Sequence, residues 1–383
     1  METVAPFKEV LDEIKEAGGD IFRLCFQCGL CDTVCPWNRV RQFSMRKTIR
    51  EATFGLTEID SEDIWRCTTC GRCPDRCPRG VKQIDINVSL RRLATEYEVF
   101  PASVRSARTA RASLISEGNP LQGDRKKRFD WAKDLPVKPF TGEMEVLYFV
   151  GCYLSYDPRM KKVAVATANI LNKAGVKFGI LGDKESCCGE SIRKTGSEEV
   201  FQNLAKENIK TFIDKGVKKI VVSSPHCYHT FKNEYPEFMV NFEVIHINQY
   251  LLELINDGRL EIKGEFAGKV TYHDPCYLGR HNNIYDEPRD VLKKIPGLEL
   301  VEMKDHGRDS LCCGGGGGRI WMDTPKEERF SDLRLEQAKD VEARVLATSC
   351  PYCITNFEES RLNLEYEDVM EIKDLTEIIQ EVI

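Results

Sequence analysis

The sequence predicts an α+β protein of several domains, in which a helical, cysteine-rich first third is followed by a duplicated α/β unit. Two tightly spaced runs of cysteine occupy the first third and are joined by a segment with helical periodicity. From about residue 144, strand patterns alternate with helix patterns, and the alternation begins again near residue 263 with the same cysteine spacing. Such alternation indicates βαβ units with mainly parallel sheets.

The composition is that of a globular protein with room for two or three domains. The chain has 383 residues, of which 42% are hydrophobic and 30% charged. Its net charge of −6 gives no general attraction to nucleic acid, so we expect no nucleic-acid partner. The N-terminus lacks the pattern of a signal peptide, and no apolar run approaches the ~20 residues that cross a bilayer. We therefore expect a cytoplasmic protein, and we expect any membrane attachment to come from a membrane-bound partner.

The cysteines of the first third have the spacing of iron–sulfur ligands. An odd total of 17 argues against a secreted disulfide scaffold. Both "CFQCGLCDTVCP" and "CTTCGRCPDRCP" match the ferredoxin run C-x2-C-x2-C-x3-C-P, which holds [4Fe–4S] clusters and whose fourth cysteine normally ligates the other cluster. The predicted ligand sets are Cys25, Cys28, Cys31 and Cys77 for one cluster, and Cys67, Cys70, Cys73 and Cys35 for the other.

Residues 1–100 are therefore predicted to form a helical ferredoxin-type domain with two [4Fe–4S] clusters. Zinc knuckles are the alternative for C-x2-C pairs, but two four-cysteine runs that both end in proline disfavour them.

A basic linker is predicted over residues 101–143. Its ordinary interpretation is a solvated helix face, and its functional interpretation is a docking surface for an acidic electron-transfer partner. The charged run extends from Arg91 to Lys138 and includes Arg92, Arg105, Arg108, Arg111, Arg125, Lys126, Lys127 and Arg128.

Residues 144–262 and 263–383 are predicted to be two copies of one α/β unit. "MEVLYFVGC" and "VKKIVVSS" have strand patterns in the first copy, as do "GKVTYHDPC" and "RVLATSC" in the second. The constant cysteine offsets mark an internal duplication, and each copy places its thiols after strands, where open α/β sheets bind ligands. Cys152 precedes Cys276 by 124 residues, Cys187 and Cys188 precede Cys312 and Cys313 by 125, and Cys227 precedes Cys353 by 126.

These motifs resemble the cysteine-rich CCG domain, and the whole arrangement resembles the D-type heterodisulfide reductase subunit and its relatives. The resemblance covers about residues 15–360 and is carried by the ferredoxin runs, "LCCGGGGG" and "CPYC". It implies that a complete CCG motif binds a non-cubane [4Fe–4S] cluster through five cysteines. In the second copy these are Cys276, Cys312, Cys313, Cys350 and Cys353. The first copy departs from the pattern, because Ser224 replaces the first cysteine of C-x-x-C.

The first copy keeps four thiols: Cys152, Cys187, Cys188 and Cys227. A further iron–sulfur cluster of another kind and a vestigial site are both compatible with them. The neighbouring histidines His273 and His226 are candidates for hydrogen bonds to cluster sulfurs or for proton transfer.

Adjacent thiolates suit one compact cluster. The five glycines after Cys313 let the backbone approach the sulfurs, and we expect them to leave room beside the cluster for a second reactant. Three alternatives for these motifs are weaker. A phosphate-binding loop would need a Gly-Lys-Ser/Thr ending. A vicinal disulfide would join Cys312 to Cys313. A glutaredoxin-type pair in "CPYC" would be followed by too little chain for a thioredoxin-like sheet.

The sequence favours an iron–sulfur electron-transfer subunit of a cytoplasmic oxidoreductase complex. It would relay electrons between a CCG cluster and a flavoprotein of the electron-transfer flavoprotein or dehydrogenase type, or another partner. The alternative is a catalytic heterodisulfide reductase, in which the five-cysteine centre, with His273 beside it, splits a substrate disulfide. Because such family members typically pair two CCG clusters, Ser224 favours the relay. A zinc-bearing scaffold protein is the third hypothesis.

Overall fold

The structure of the chain is a computed structural model that describes residues 8–56 and 58–383. Residues 1–7, which belong to the predicted ferredoxin-type domain and begin the N-terminal stretch without a signal-peptide pattern, lie outside the described residues. The described chain divides into two compact units, and each unit combines separate stretches of sequence. Unit 1 comprises the stretch up to Thr109, Ser191–Glu199 and Gly314–Phe330, and unit 2 comprises Ala110–Glu190, Val200–Cys313 and Ser331–Ile383. The four-domain division expected from the sequence stays a prediction.

In its described residues, unit 1 is helical and contains no strand, as predicted for the first domain. Short 3-10 and π-helical turns connect its α-helices. The α-helices of its first stretch are α1 Lys8–Ile14, α2 Leu30–Val34, α3 Met45–Thr53, α4 Glu62–Arg66, α5 Arg72–Arg76, α6 Gln83–Glu96 and the first residues of α7 Arg105–Glu117. Helix α3 begins at Ser44, whose hydroxyl accepts a hydrogen bond from the Lys47 amide at 3.1 Å, and it buries Ile49 and Ala52.

Helix α6 forms the core of unit 1. Its apolar side chains Ile86, Leu90 and Leu93 follow helical spacing and are buried. Between them Arg91 is also fully buried, and its guanidinium donates hydrogen bonds of 2.7–3.0 Å to four backbone carbonyls. Those carbonyls belong to Ile64, Cys67, Lys194 and Gly317. A buried cation is tolerated here because its donors are satisfied.

Unit 2 contains two parallel sheets of matching topology, which confirms the predicted α/β duplication. The strands are β1 Lys138–Pro139, β2 Val146–Phe149, β3 Phe178–Ile180, β4 Lys219–Val222, β5 Glu243–His246, β6 Gly268–Tyr272, β7 Leu298–Val301, β8 Val345–Thr348 and β9 Glu371–Asp374. The first sheet has the order β1-β3-β2-β4-β5 and the second β7-β6-β8-β9. Apart from the two-residue strand β1, the two orders correspond position by position.

The central strands are buried and are flanked by helices. Helix α9, Pro158–Lys173, begins after Asp157, whose carboxylate accepts hydrogen bonds from the Arg159 and Met160 amides at 2.9 Å, and it ends before Gly175, whose φ is +65°. The remaining helices are α8 Cys152–Tyr156, α9 Pro158–Lys173, α10 Glu190–Lys194, α11 Glu198–Asp214, α12 Pro225–His229, α13 Ile247–Asn256, α14 Asp286–Lys293, α15 Phe330–Asp340, α16 Pro351–Asn363 and α17 Leu375–Val382.

The basic run does not form one solvated face. That expectation is wrong for Arg91 and Arg128, which are 0% and 2% exposed. Each guanidinium has specific partners, the four carbonyls for Arg91 and the Glu185 carboxylate for Arg128. Within residues 8–56 and 58–383, no helix is both long enough and apolar enough to cross a membrane.

Candidate metal centres

The two cysteine runs of unit 1 fold into loops with matching backbone conformations. Gln27 and Thr69 precede the second cysteine of their runs, and both have positive φ, 64° and 50°. Gly29 and Gly71 follow that cysteine with φ of 80° and 79°, and they begin α2 and α5. The third cysteine of each run lies in the helix and the fourth ends it. Both runs therefore form the same kind of loop, as two ligand loops of one type would.

One cavity of unit 1 is lined by four thiols drawn from both runs. It holds about 320 Å³ of space free of protein atoms, part of it open to solvent, and Arg46 also lines it. The four thiols are Cys25, Cys28, Cys31 and Cys77. Burial, with the neighbouring Asp32 carboxylate, raises the pKa of Cys31 to about 12. A metal ion would displace the protons from such thiols, since the thiolate is the ligand.

The other four thiols of unit 1 also lie close together. Burial, together with the charge of Cys70 and Cys67, raises the pKa of Cys35 above its ordinary value. The pKa of Cys73 is raised by burial and by its neighbours Cys67, Cys70 and Cys35. Cys35 therefore faces the second run rather than its own. Cys77 thus lies with the first run and Cys35 near the second, while Cys31 of the first run also acts on Cys73, and the two ligand sets stay a prediction.

The glycine-rich stretch packs against the second cysteine loop within unit 1. A Cβ atom on Gly316 would lie 2.4 Å from the Thr68 carbonyl oxygen, and one on Gly317 would lie 2.5 Å from the Cys67 carbonyl oxygen. Arg91 donates to the carbonyls of both Gly317 and Cys67 at 2.7 Å. At Gly316 and Gly317 the expected room for a second reactant is therefore absent, because backbone fills it.

Five thiols of the second repeat meet at the carboxyl ends of β6, β7 and β8 in unit 2. All are buried, with 1–7% exposure. Sγ of Cys353 lies 3.2 Å from Sγ of Cys313, Cys276 hydrogen bonds Cys312, and Cys350 hydrogen bonds Cys353. Strands β6 and β8 are adjacent, and the chain continues from β6 to β7 at one edge of the sheet and from β8 to β9 at the other edge. Open α/β sheets bind ligands in the crevice at such a reversal of strand order. The thiols form one continuous group of sulfur contacts.

His273 lies beside this group and carries an unsatisfied donor. A ring nitrogen of His273 and the Sγ atoms of Cys313 and Cys353 lie within 4.8 Å of one another. Nδ1 accepts a hydrogen bond from Nε of Arg334 at 3.1 Å, so the ring proton belongs on Nε2, which is buried and has no hydrogen-bond partner among the described residues. Burial and the Arg334 charge hold the pKa of His273 well below its usual range. A neutral N–H donor among five thiols fits an anionic metal–sulfur group.

The first repeat repeats this arrangement with four thiols. Their cavity, with about 390 Å³ of space free of protein atoms, is also lined by Ser224 and His226. The sulfurs contact one another in the order Cys152, Cys187, Cys188 and Cys227. Ser224 occupies the N-cap position of α12 before Pro225, as Cys350 occupies that of α16 before Pro351, and neither side chain makes a capping hydrogen bond. The hydroxyl of Ser224 thus occupies the position that a thiol holds in the second repeat.

Arg128 places a buried positive charge beside these four thiols. Its Nη2 lies 3.5 Å from Sγ of Cys152 and donates to Oε1 of Glu185 at 2.7 Å. Nη1 is buried and has no hydrogen-bond partner among the described residues. Burial and Cys187 raise the pKa of Cys152 despite this guanidinium. An unsatisfied cationic donor beside thiols fits an anionic group here too.

His226 belongs to the first repeat but contacts the thiol group of the second. Burial by itself lowers its pKa, but the Glu190 carboxylate and a hydrogen bond with Cys350 outweigh burial and raise the pKa to about 10. Sequence patterns did not reveal the contribution of Arg128, Arg334 or Glu190. Only Glu190 carries a local signal, because it follows the Cys-Cys-Gly motif directly.

Comparison with known proteins identifies the family. The cysteine-rich domain CCG matches residues 146–232 and 270–358, and the 4Fe-4S dicluster domain matches residues 21–81. The D-type subunit of dihydromethanophenazine:CoB–CoM heterodisulfide reductase from Methanosarcina mazei is 32% identical over 389 residues, which cover 93% of this chain and 93% of that protein. This chain belongs to the family of D-type heterodisulfide reductase subunits and related iron–sulfur oxidoreductases. Its cofactors are therefore iron–sulfur clusters.

Two other members of this family match the chain over only part of their own length. The probable iron-sulfur-binding oxidoreductase FadF of Bacillus subtilis is 41% identical over 330 residues, which cover 84% of this chain and 46% of that protein. The EtfAB:quinone oxidoreductase of Syntrophomonas wolfei is 36% identical over 338 residues, with the same coverage of 84% and 46%. The chain thus spans about half the length of these two relatives.

Proposed function

We propose that the chain is an electron-transfer subunit that relays electrons between a flavoprotein partner and a cluster in the second repeat of unit 2. Iron–sulfur clusters supply one-electron chemistry over a wide range of potentials. The observation that carries the proposal is the difference between the two repeats. The second repeat has five buried thiols in one continuous group of contacts, whereas Ser224 leaves the first with four.

The proposed ligand sets follow the thiol groups in the structure. In unit 1, two [4Fe–4S] clusters would be held by the two crossed sets of four thiols. In the second repeat, one non-cubane [4Fe–4S] cluster would be held by Cys276, Cys312, Cys313, Cys350 and Cys353, with His273 as a hydrogen-bond donor. The first repeat keeps a candidate site for a further cluster beside Arg128, but without the fifth thiol we assign it none.

The proposed partner is a flavoprotein of the electron-transfer flavoprotein or dehydrogenase type in the cytoplasm. The relative named EtfAB:quinone oxidoreductase supports this class of partner, because its name couples EtfAB to a quinone. A membrane-bound partner belongs to the same proposal, since quinones reside in membranes. The chain itself would transfer electrons between the flavoprotein and the membrane-bound partner.

A second candidate function is catalytic reduction of a heterodisulfide. The match to the D-type heterodisulfide reductase subunit along 93% of both chains favours it. Ser224 disfavours it, because the resemblance implies paired CCG clusters in such enzymes.

The iron and acid-labile sulfide content of anaerobically purified protein tests the cluster assignment. Three [4Fe–4S] clusters require about twelve irons per chain, two require about eight and four require about sixteen. We expect about twelve in the wild type and about eight in Cys353→Ser, with the EPR signals of unit 1 retained. The matched control Cys227→Ser, at the equivalent position of the first repeat, keeps about twelve. Eight irons in the wild type contradict the proposal.

A pair of activity measurements separates the relay from the reductase. We expect the clusters to be reduced by a reduced electron-transfer flavoprotein and to show no turnover of small-molecule disulfides with an artificial reductant. Disulfide turnover that is lost in Cys353→Ser would contradict the relay and support the second candidate. Sixteen irons in the wild type would support it as well.

A further inference from the structure

The first repeat inserts one side chain into the thiol group of the second. His226 lies in α12 next to Cys227, is 4% exposed, and hydrogen bonds the Cys350 sulfur. The equivalent residue of the second repeat, between Pro351 and Cys353, is Tyr352. The two repeats therefore differ at this position, and only the first repeat supplies an imidazole.

Three neighbours fix the orientation of the His226 ring. Oε2 of Glu190, which is 1% exposed, lies 3.1 Å from Nδ1. The rings of Tyr277 and Tyr352 lie 4.2 and 4.3 Å from the imidazole, measured between centroids. Because Nδ1 faces Glu190, the hydrogen bond to Cys350 is made by Nε2. A carboxylate behind a histidine commonly fixes which nitrogen faces a metal centre.

The same residues connect the two thiol groups. Glu190 follows Cys188 by two residues and His226 precedes Cys227, so both members of the pair are attached to thiols of the first repeat. Tyr153, next to Cys152, contacts the Tyr352 ring at 5.1 Å. The described part of unit 2 thus contains a buried polar and aromatic bridge from one group to the other.

We propose that Glu190 and His226 form a positioning pair, supplied by the first repeat, that donates a hydrogen bond to Cys350 and raises the reduction potential of the centre in the second repeat. The proposal rests on the proposed function, in which Cys350 is a cluster ligand. A donor to a ligand sulfur stabilises the more electron-rich reduced state, and such hydrogen bonds tune cluster potentials. The four-thiol repeat would then serve the relay without holding a CCG-type cluster of its own.

The test is the double variant Glu190→Gln/His226→Phe, measured by EPR-monitored redox titration. Phenylalanine keeps a ring between the two tyrosines, and glutamine avoids leaving a buried carboxylate unpaired. We expect an unchanged iron content and an unchanged potential of the unit 1 clusters. We expect the reduction potential of the second-repeat cluster to fall by about 59 mV, which corresponds to a tenfold change in the redox equilibrium for one electron.

Two further variants make the result specific. His226→Gln keeps an N–H donor, so the reduction potential of the second-repeat cluster should fall less than in the double variant. His246→Asn is the control, because His246 is another buried histidine of the first repeat and caps α13 through the Asn248 amide. It should leave all potentials unchanged. An unchanged potential in the double variant, or an equal shift in the control, overturns the proposal, whereas about eight irons in the wild type would instead overturn the proposed function.

Discussion

At the scale of single residues, the charges buried among the thiols depend on one another. Arg128 and Glu185 are 2% and 1% exposed, and burying two such charges costs several kcal/mol for each ion. That cost is offset because Arg128 donates hydrogen bonds to Glu185 and Glu185 accepts further hydrogen bonds from the backbone. Glu185 also accepts the amides of Val150 and Gly151 at 3.1 and 2.9 Å, which fixes the turn before Cys152. The ion pair therefore holds the first thiol of the repeat in place.

Arg128→Met should destabilise unit 2 strongly. The change leaves the Glu185 carboxylate buried without its cation, which costs about 3–5 kcal/mol. Arg128→Met/Glu185→Gln should recover part of the loss, because it removes the unpaired buried charge while the amide oxygen still accepts one of the two backbone hydrogen bonds. Chemical unfolding followed by circular dichroism under anaerobic conditions measures both variants. A double variant as unstable as the single one would show that the ion pair is not the cause.

Cysteine spacing reveals the thiols, but it does not reveal the residues that surround them. Ligand loops are local, so a run such as that from Cys67 to Cys77 can be recognised within a dozen residues. Arg334 reaches His273 from 61 residues away, and Arg128 reaches Glu185 from 57. Nothing in the neighbourhood of either arginine in sequence distinguishes it from an exposed one. Such partners are set by tertiary packing.

At the scale of elements, the duplication was predictable because both repeats use the same strands. Buried strands such as β2 and β8 are short apolar runs, and the cysteines after them fix the register of the repeat. The edge strands β5 and β9 were not predicted. Each has only four residues and carries glutamate or lysine, so its pattern is weak. The glycine-rich stretch was recognised, but its contact with the Cys67 loop was not.

Gly317→Ala should displace the glycine-rich stretch from that loop. Its φ is +61°, and the new Cβ would meet the Cys67 carbonyl at 2.5 Å, so backbone has to move. We expect a loss of more than about 2 kcal/mol in stability and an altered EPR signal from the cluster proposed near Cys67, since left-handed strain alone costs about 1–2 kcal/mol. Gly175→Ala is the matched control.

The control glycine has φ of +65° but nothing within 4 Å of its Cβ position, so it isolates the strain from the clash. Gly175→Ala should lose only the strain energy and leave every EPR signal unchanged. Equal effects of the two substitutions would mean that the contact with the Cys67 carbonyl contributes nothing.

At the scale of the whole molecule, the compact units do not follow the order of the sequence. Ser191–Glu199 and Gly314–Phe330 belong to unit 1, although each interrupts residues of unit 2. A division based on sequence patterns assigns contiguous stretches to domains, so it does not show that separate stretches belong to one unit. The repeats nevertheless keep their thiols together, because all the strands that carry them lie in unit 2.

The number of clusters per chain should depend on Ser224, which places a hydroxyl where the second repeat has the thiol of Cys350. Ser224 is 7% exposed, lines the cavity of the four thiols and makes no side-chain cap to α12, so a thiol can replace its hydroxyl without loss of a capping bond. Ser224→Cys should therefore raise iron from about twelve to about sixteen per chain, since it completes the five-thiol set.

Ser224→Ala, which adds no thiol, should stay at about twelve irons. Colorimetric iron and sulfide assays on both variants, after reconstitution under identical conditions, provide the measurement. If Ser224→Cys also stays at about twelve, the missing thiol is not what limits the first repeat, and the geometry set by Arg128 and His226 becomes the stronger explanation for its difference from the second.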